Sequence, residues 1–230
     1  PQFEILDSSS NIVTQNNGIY EICVNETVNF DDLTSYTECD DSIFSWDIVP
    51  VGPDNIPNTG DEESNASSGY NYVEGTNQNN QEPFVQFIIP DTYLITQQIT
   101  NACGTFTSEK LLLVKGEPSV ELPLEFMEIC KYPLDLPYII NFETDVEYKP
   151  VYSESPYQPS TYNWEITGAN GDTVTSTGAN PDYSFIGGTS SSSDYPQISF
   201  NSFLDYNIQI TVDGECGDAS SDSFVLRLNE

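Results

Sequence analysis

Tyr206-Asn-Ile-Gln-Ile-Thr-Val-Asp213 alternates apolar and polar residues without a break. A period of two puts Tyr206, Ile208, Ile210 and Val212 on one face and Asn207, Gln209, Thr211 and Asp213 on the other. That is the pattern of a strand buried on one side. The same alternation runs through Phe44, Trp46 and Ile48, and again through Tyr162, Trp164 and Ile166. Further strand candidates lie at 3–6, 27–30, 84–89, 93–99 and 105–114, and then at 120–122, 138–142, 197–200 and 220–228. No stretch carries a helical period. The reading is an all-β chain with about seven short strands in each half, folded as two-sheet sandwiches. The two Trp residues and the Tyr residues at 93 and 206 belong to the cores, the latter at the place of a tyrosine corner.

The chain repeats itself. Glu21-Ile22-Cys23, Trp46 and Cys103-Gly104 recur as Glu128-Ile129-Cys130, Trp164 and Cys216-Gly217, and Pro1-Gln-Phe-Glu-Ile recurs as Pro118-Ser-Val-Glu-Leu. The offsets are 117 from Pro1, 107 from Cys23, 118 from Trp46 and 113 from Cys103. A unit of that length is a domain and not a solenoid repeat. The boundary falls in Lys115-Gly-Glu-Pro118, a short linker stiffened by Pro118, and gives domains 1–116 and 117–230 placed end to end. Two copies in a chain with no initiator Met read as part of a longer array, and arrays reach, display or adhere more often than they catalyse.

Charge and composition narrow the function. The net charge is −32, with eighteen acids against two bases in residues 1–116 and nineteen against three in 117–230, so each repeat carries −16. Such a field repels nucleic acid and anionic lipid and attracts cations, besides keeping the surface soluble. There is no His, which removes Ser-His-Asp and Cys-His catalysis and His-ligated zinc. No apolar run approaches the length of a membrane span. A secretory leader, if one exists, lies upstream or has been removed. The polar, Tyr-rich, Cys-containing mix reads as extracellular.

Several segments resemble a known family. Val24-Asn-Glu-Thr-Val-Asn-Phe30 resembles the second strand of PKD (polycystic-kidney-disease-like) domains, Trp46-Asp-Ile48 their Trp strand, and Pro90-Asp-Thr-Tyr-Leu-Ile95 their Tyr corner. Asn101-Ala-Cys-Gly104 is similar to the Cys-Gly turn of copies in Bacteroidetes surface proteins. The second repeat departs at Phe203-Leu-Asp-Tyr206, and neither repeat has a Gly-Asp-Gly turn after the Trp strand. The acidity and the Ile-Cys…Cys-Gly frame resemble repeats of large surface adhesins of gliding Flavobacteria, exported by type IX secretion. The resemblance implies tandem immunoglobulin-like sandwiches, a bacterial cell-surface location, and a non-catalytic stalk or adhesive module serving attachment and gliding motility. Its partners would be neighbouring repeats and possible surface polysaccharide, the fragment itself being a monomer. The alternative is a carbohydrate-binding pair appended to a secreted polysaccharide-degrading enzyme.

Five cysteines leave one odd, and sequence alone does not fix connectivity. In an immunoglobulin-like sandwich Cys23 and Cys130 fall at the bottom of their domains, and Cys103 and Cys216 at the top. A strand of about six residues spans about 20 Å, whereas a disulfide needs Cα atoms within about 7 Å. The expected pairs are therefore Cys39–Cys103 within repeat 1 and Cys23–Cys216 between the domains, with Cys130 left for a following repeat. Within-repeat bridges remain the alternative.

Ligand candidates are less sharply marked. Asp31, Asp32, Asp40, Asp41, Asp61, Glu62 and Glu63 form carboxylate clusters that could serve Ca²⁺, although no EF-hand ladder is present. Diffuse attraction of cations is the other reading. Two polar stretches interrupt the strands, 51–82 and 187–193, and loops of this kind are functional or disordered. Within the first, 69–73 could form an extra edge strand, and Tyr70 and Tyr72 could stack on a sugar. Accidental Asp/Glu pairs are too numerous to indicate glycoside hydrolysis.

Overall fold

The computed structural model describes residues 1–35, 42–51, 69–130, 136–154, 156–171 and 173–229, the Cys130 side chain excepted. The chain divides into two compact units, Pro1–Gly116 and Glu117–Glu230. No helix occurs among the described residues.

The first repeat contains β1 (Phe3–Leu6), β2 (Gln15–Asn16), β3 (Ile19–Cys23), β4 (Thr27–Asp32), β5 (Ile43–Pro50), β6 (Tyr70–Val73), β7 (Phe84–Phe87), β8 (Asp91–Asn101) and β9 (Gly104–Lys115). They form a four-stranded sheet, β1-β4-β7-β6, and a five-stranded sheet, β2-β3-β9-β8-β5. The period-two pattern explains the core. Phe3, Ile5, Val28, Phe30, Val85 and Phe87 from the first sheet face Tyr20, Ile22, Trp46, Ile48, Tyr93, Ile95, Leu112 and Val114 from the second. Each such side chain contributes about 1.5–3 kcal/mol on leaving water. The Trp46 ring lies edge-on to Phe3 at 4.9 Å and tilted on Phe30 at 5.1 Å.

The second repeat contains β10 (Val120–Glu121), β11 (Phe126–Cys130), β12 (Tyr138–Asn141), β13 (Val151–Tyr152), β14 (Thr161–Gly168), β15 (Tyr183–Ile186), β16 (Gln197–Phe200), β17 (Asp205–Asp213) and β18 (Ser220–Asn229). Its sheets are β11-β18-β17-β14, β12-β16-β15 and the short pair β10-β13. Trp164, Ile208, Ile210, Phe224 and Leu226 from the first of these pack on Ile140, Phe142, Ile198 and Phe200 from the second.

Two details mark both units as immunoglobulin-like sandwiches. The Trp strands, β5 and β14, bury Trp46 and Trp164 to 3% exposure each. The Tyr93 hydroxyl donates to the Ile89 carbonyl at 2.9 Å, and the Tyr206 hydroxyl to the Ser202 carbonyl at 2.9 Å. Each thus reaches back four residues and pins the strand entry, the tyrosine corner of such folds.

The strand inventory exceeds the seven per repeat expected from alternation. The informative additions are β3 and β11, which hold the repeated Glu-Ile-Cys. Both pair in parallel with the last strand of their repeat, Tyr20↔Leu112 through Cys23↔Lys115 and Phe126↔Val225 through Cys130↔Asn229. A five-residue strand whose partner lies about ninety residues onward leaves little local signal. The 69–73 segment does supply an edge strand, β6.

The polar tract at 187–193 is an ordered turn with a structural task. Thr189 Oγ1 donates to Ile186 O and accepts from Gln197 N–H, and Ser193 Oγ accepts from Ser190 N–H. The carbonyls this exposes receive Trp164. Its backbone N–H donates to Ser191 O at 2.7 Å, and its indole N–H to Ser193 O at 2.9 Å. Repeat 1 builds the same turn from other letters. Thr76 takes the place of Thr189, Asn80 that of Ser193, and Trp46 donates to Gln78 O and Asn80 O.

Candidate functional site

Cys23, Cys103 and Cys216 are each disulfide-bonded, while Cys39 lies outside the described residues. Strand register limits the partners. Cys23 stands opposite Lys115, the last residue of β9, whereas Cys103 immediately precedes Gly104, its first. Twelve extended residues span about 40 Å at roughly 3.3 Å each, far beyond the roughly 7 Å a disulfide permits. Cys23 and Cys103 therefore bond to different residues. Cys130 stands opposite Asn229 at the far end of β18 from Cys216, and the same reasoning excludes a Cys130–Cys216 pair.

The acidic candidates fall into two groups. Asp40, Asp41, Asp61, Glu62 and Glu63 lie outside the described residues. Asp31 and Asp32 end β4, and Asp32 is engaged by protein donors. Its Oδ1 accepts from Gln97 Nε2 at 3.0 Å and from Thr34 N–H at 3.1 Å, and its Oδ2 from Gln81 Nε2 at 3.0 Å. Gln97 is fully buried, and its Oε1 has no partner among the described residues. Among those residues no three Cys, Asp or Glu converge as a metal site. Asp32→Ala would strand the Gln97 amide and is expected to cost about 2 kcal/mol. Urea titration should show the same loss in calcium and in chelator; a loss seen only with calcium would instead make Asp32 a ligand.

Tyr70 and Tyr72 sit on β6 and pack against the core of repeat 1. Their rings meet edge-to-face at 5.7 Å, and Tyr70 lies on Phe87 at 6.0 Å. The buried Tyr72 hydroxyl has no hydrogen-bond partner among the described residues. Burial, with Tyr70 and Asp47 nearby, raises its pKa.

A different group of tyrosines forms a concave site in repeat 2. β13 supplies Tyr152, β14 supplies Tyr162, and the Trp-anchored turn supplies Asp194 and Tyr195. Tyr152 lies between the other two rings, 5.0 Å from Tyr162 at 67° and 5.4 Å from Tyr195 at 56°. Its hydroxyl donates to the Asp194 carbonyl, tying β13 to the turn. Lys149 places its ammonium 4.9 Å over the Tyr195 ring. These residues, with Glu154, Gln158 and the buried Pro150 and Pro159, line a cleft of about 570 Å³. That is the size of a small-ligand site. Burial raises the pKa of all three tyrosines, most strongly for Tyr152, with the neighbouring Asp194 adding to each shift. The phenols therefore stay neutral hydrogen-bonding groups at ordinary pH.

The sequence carries one sign of this cleft. Lys149-Pro-Val-Tyr and Tyr157-Gln-Pro-Ser-Thr-Tyr162 concentrate Tyr and Pro just before the Trp strand, with no counterpart in repeat 1.

No protein-family model matches the chain, and no curated protein matches it. Among solved structures it is similar to the I-band fragment I67-I69 from titin, at 14% identity and a TM-score of 0.43, over 91% of this chain and 62% of that one. It is similar also to the N-terminal four Ig domains of Dscam1 isoform 1.9, at 13% identity and a TM-score of 0.46, over 94% and 45%. For human CDH23 EC21-23 the values are 10% identity and 0.46, over 82% and 62%. The chain thus spans about three fifths of the titin fragment and under half of the Dscam1 one.

Proposed function

We propose that this chain is a non-catalytic, load-bearing segment of a large bacterial cell-surface adhesin, of the kind used for attachment and gliding. The observation that carries the reading is the placement of its oxidised cysteines. Cys23 closes a strand clamped in parallel to the last strand of its repeat, and it cannot bond to Cys103. Persistent disulfides favour an extracellular setting. The charge of −16 on each repeat favours a soluble, self-repelling stalk.

The strand layout suits tension. The chain leaves repeat 1 from the end of β9, which is hydrogen-bonded to β3 on one side and to β8 on the other. Force that reaches β9, as it does once the proposed Cys23–Cys216 bond is reduced, loads the evenly spaced bonds of the parallel pair together instead of one after another. β18 is held in the same way between β11 and β17.

The proposed pairs are Cys39–Cys103 within repeat 1 and Cys23–Cys216 between repeats, with Cys130 left for a further repeat. Digestion without reductant, followed by mass spectrometry, is expected to yield both linked peptides. Recovery of Cys39 linked to Cys23 would overturn the scheme.

A second reading, a carbohydrate-binding pair attached to a secreted polysaccharide-degrading enzyme, is favoured by one feature, the tyrosine cleft of repeat 2.

A further inference from the structure

The cleft in repeat 2 has a wall chemistry that the load-bearing reading does not use. Its rings are not stacked among themselves. They meet at 67° and 56°, so each keeps part of a face for something else. The hydroxyls of Tyr162 and Tyr195 donate to no described residue, while that of Tyr152 is spent on the turn.

Lys149 is the second clue. Lys110, Lys115 and Arg227 each hold a carboxylate, at 3.3, 2.5 and 3.0 Å. Lys149 has no carboxylate partner among the described residues, although the repeat carries nineteen acids. Its ammonium rests over the Tyr195 ring instead, among the residues that line the cleft. Glu154 and Asp194 add exposed acceptors on the same rim.

Ligand classes can be weighed against that wall. An apolar ligand would cover Lys149, Glu154 and Asp194 without replacing their water, a desolvation cost with no return. An acidic peptide or a nucleic acid meets a repeat of −16. A proline-rich peptide would use the rings and leave the charges idle. A pyranose matches both halves, because its axial C–H face lies on an aromatic ring and its equatorial hydroxyls both donate and accept around the edge.

We propose that this cleft binds a neutral pyranose saccharide. One ring face rests on Tyr195 and Tyr152, and the hydroxyls take donors from Lys149 and acceptors from Asp194 and Glu154. An acidic sugar is disfavoured by the lining, where Glu154 and Asp194 outnumber Lys149. Repeat 1 supplies an internal control. The residue corresponding to Tyr195 is Glu82, at the 113-residue offset, and that corresponding to Tyr162 is Phe44, at the 118-residue offset. Binding should therefore be confined to repeat 2. The proposal goes beyond the adhesin reading and is independent of it, since a stalk without a sugar site remains a stalk.

The test is a titration of the isotopically labelled full chain, followed by amide shifts. The probes are a neutral β-glucan tetrasaccharide, a neutral mannan tetrasaccharide and an oligogalacturonate, each to about 10 mM, the range of weak sugar sites. Shifts for at least one neutral probe are expected at Lys149, Tyr152 and Tyr195 and not in repeat 1. Tyr195→Ala and Lys149→Met should each weaken binding about tenfold or more, with the remaining spectrum unchanged. Lys149→Met keeps the apolar stem and so reads the ammonium without threatening the fold. No shift with either neutral probe, equal binding by both variants, or tighter binding of oligogalacturonate would each overturn the proposal. So would occupancy of the cleft by a proline-rich peptide alone.

Discussion

Pulled by its two ends without reductant, the chain is expected to expose an extended contour of only about 13 nm, and with reductant about 80 nm. The figures follow from the proposed Cys23–Cys216 bond and roughly 3.5 Å per extended residue. With that bond intact, tension runs from Pro1 to Cys23, crosses to Cys216 and leaves through β18. Only residues 1–23 and 216–230 can then be drawn out. Everything between is shielded, including both Trp strands and both tyrosine corners. Reduction opens the path, and each repeat must then be unfolded through its parallel-clamped last strand. Forced rupture of this kind is set by an unfolding barrier, not by equilibrium stability. An intermediate result is equally informative. If only Cys39–Cys103 is closed, the oxidised chain exposes a contour of about 58 nm, because the roughly 64 residues of that loop stay hidden. That value would remove the inter-repeat bond and leave repeats that unfold singly. A single-molecule trace recorded with and without reductant separates the three lengths easily.

The parts of this fold that were legible in sequence are those whose signal is local. Alternation in Tyr206–Asp213 and around the two Trp residues gave strands with the right faces inward, because each residue's side follows from the pleat alone. The tyrosine corners were legible for the same reason, their hydrogen bonds reaching back only four residues. β3 and β11 were not, since a short parallel strand is stabilised by a partner at the other end of the repeat. The tract at 187–193 reads as a functional or disordered loop, and its turn stays hidden because Ser and Asn do the same job in the two repeats. Both offer a side-chain oxygen to a nearby backbone N–H. A position-by-position comparison at offset 113 would have aligned Thr76 with Thr189, Pro83 with Pro196 and Tyr93 with Tyr206. The cleft was the least legible feature. Tyr152, Tyr162 and Tyr195 span more than forty residues, and only the placement of β13 and the Trp-anchored turn brings them together.

Trp164→Ala is expected to destabilise repeat 2 by about 3–5 kcal/mol, the usual cost of deleting a large buried aromatic side chain. Against a typical stability of about 5–15 kcal/mol, that brings a single domain close to unfolding. Three losses combine. The indole is 3% exposed and lies 4.4 Å from the Phe142 ring, so its removal opens the centre of the core. Its N–H no longer satisfies the Ser193 carbonyl. The turn from Gly187 to Pro196 keeps the Trp164 backbone bond at Ser191 but loses the ring against which it folds. The third loss reaches the cleft, because Asp194 and Tyr195 follow directly on the carbonyl that the indole holds. Trp164→Phe separates the contributions. It restores most of the packing without the N–H, and the remaining deficit, about 1–2 kcal/mol, is the part owed to the turn. Under urea, circular dichroism follows both repeats, while fluorescence of Trp46, the remaining Trp in either variant, follows repeat 1 alone; the transition that fluorescence does not share belongs to repeat 2. A loss below about 1 kcal/mol for Trp164→Ala would mean that the turn and the core close up without the indole. In that case the shared architecture of the two turns would not be what positions the tyrosines of the cleft.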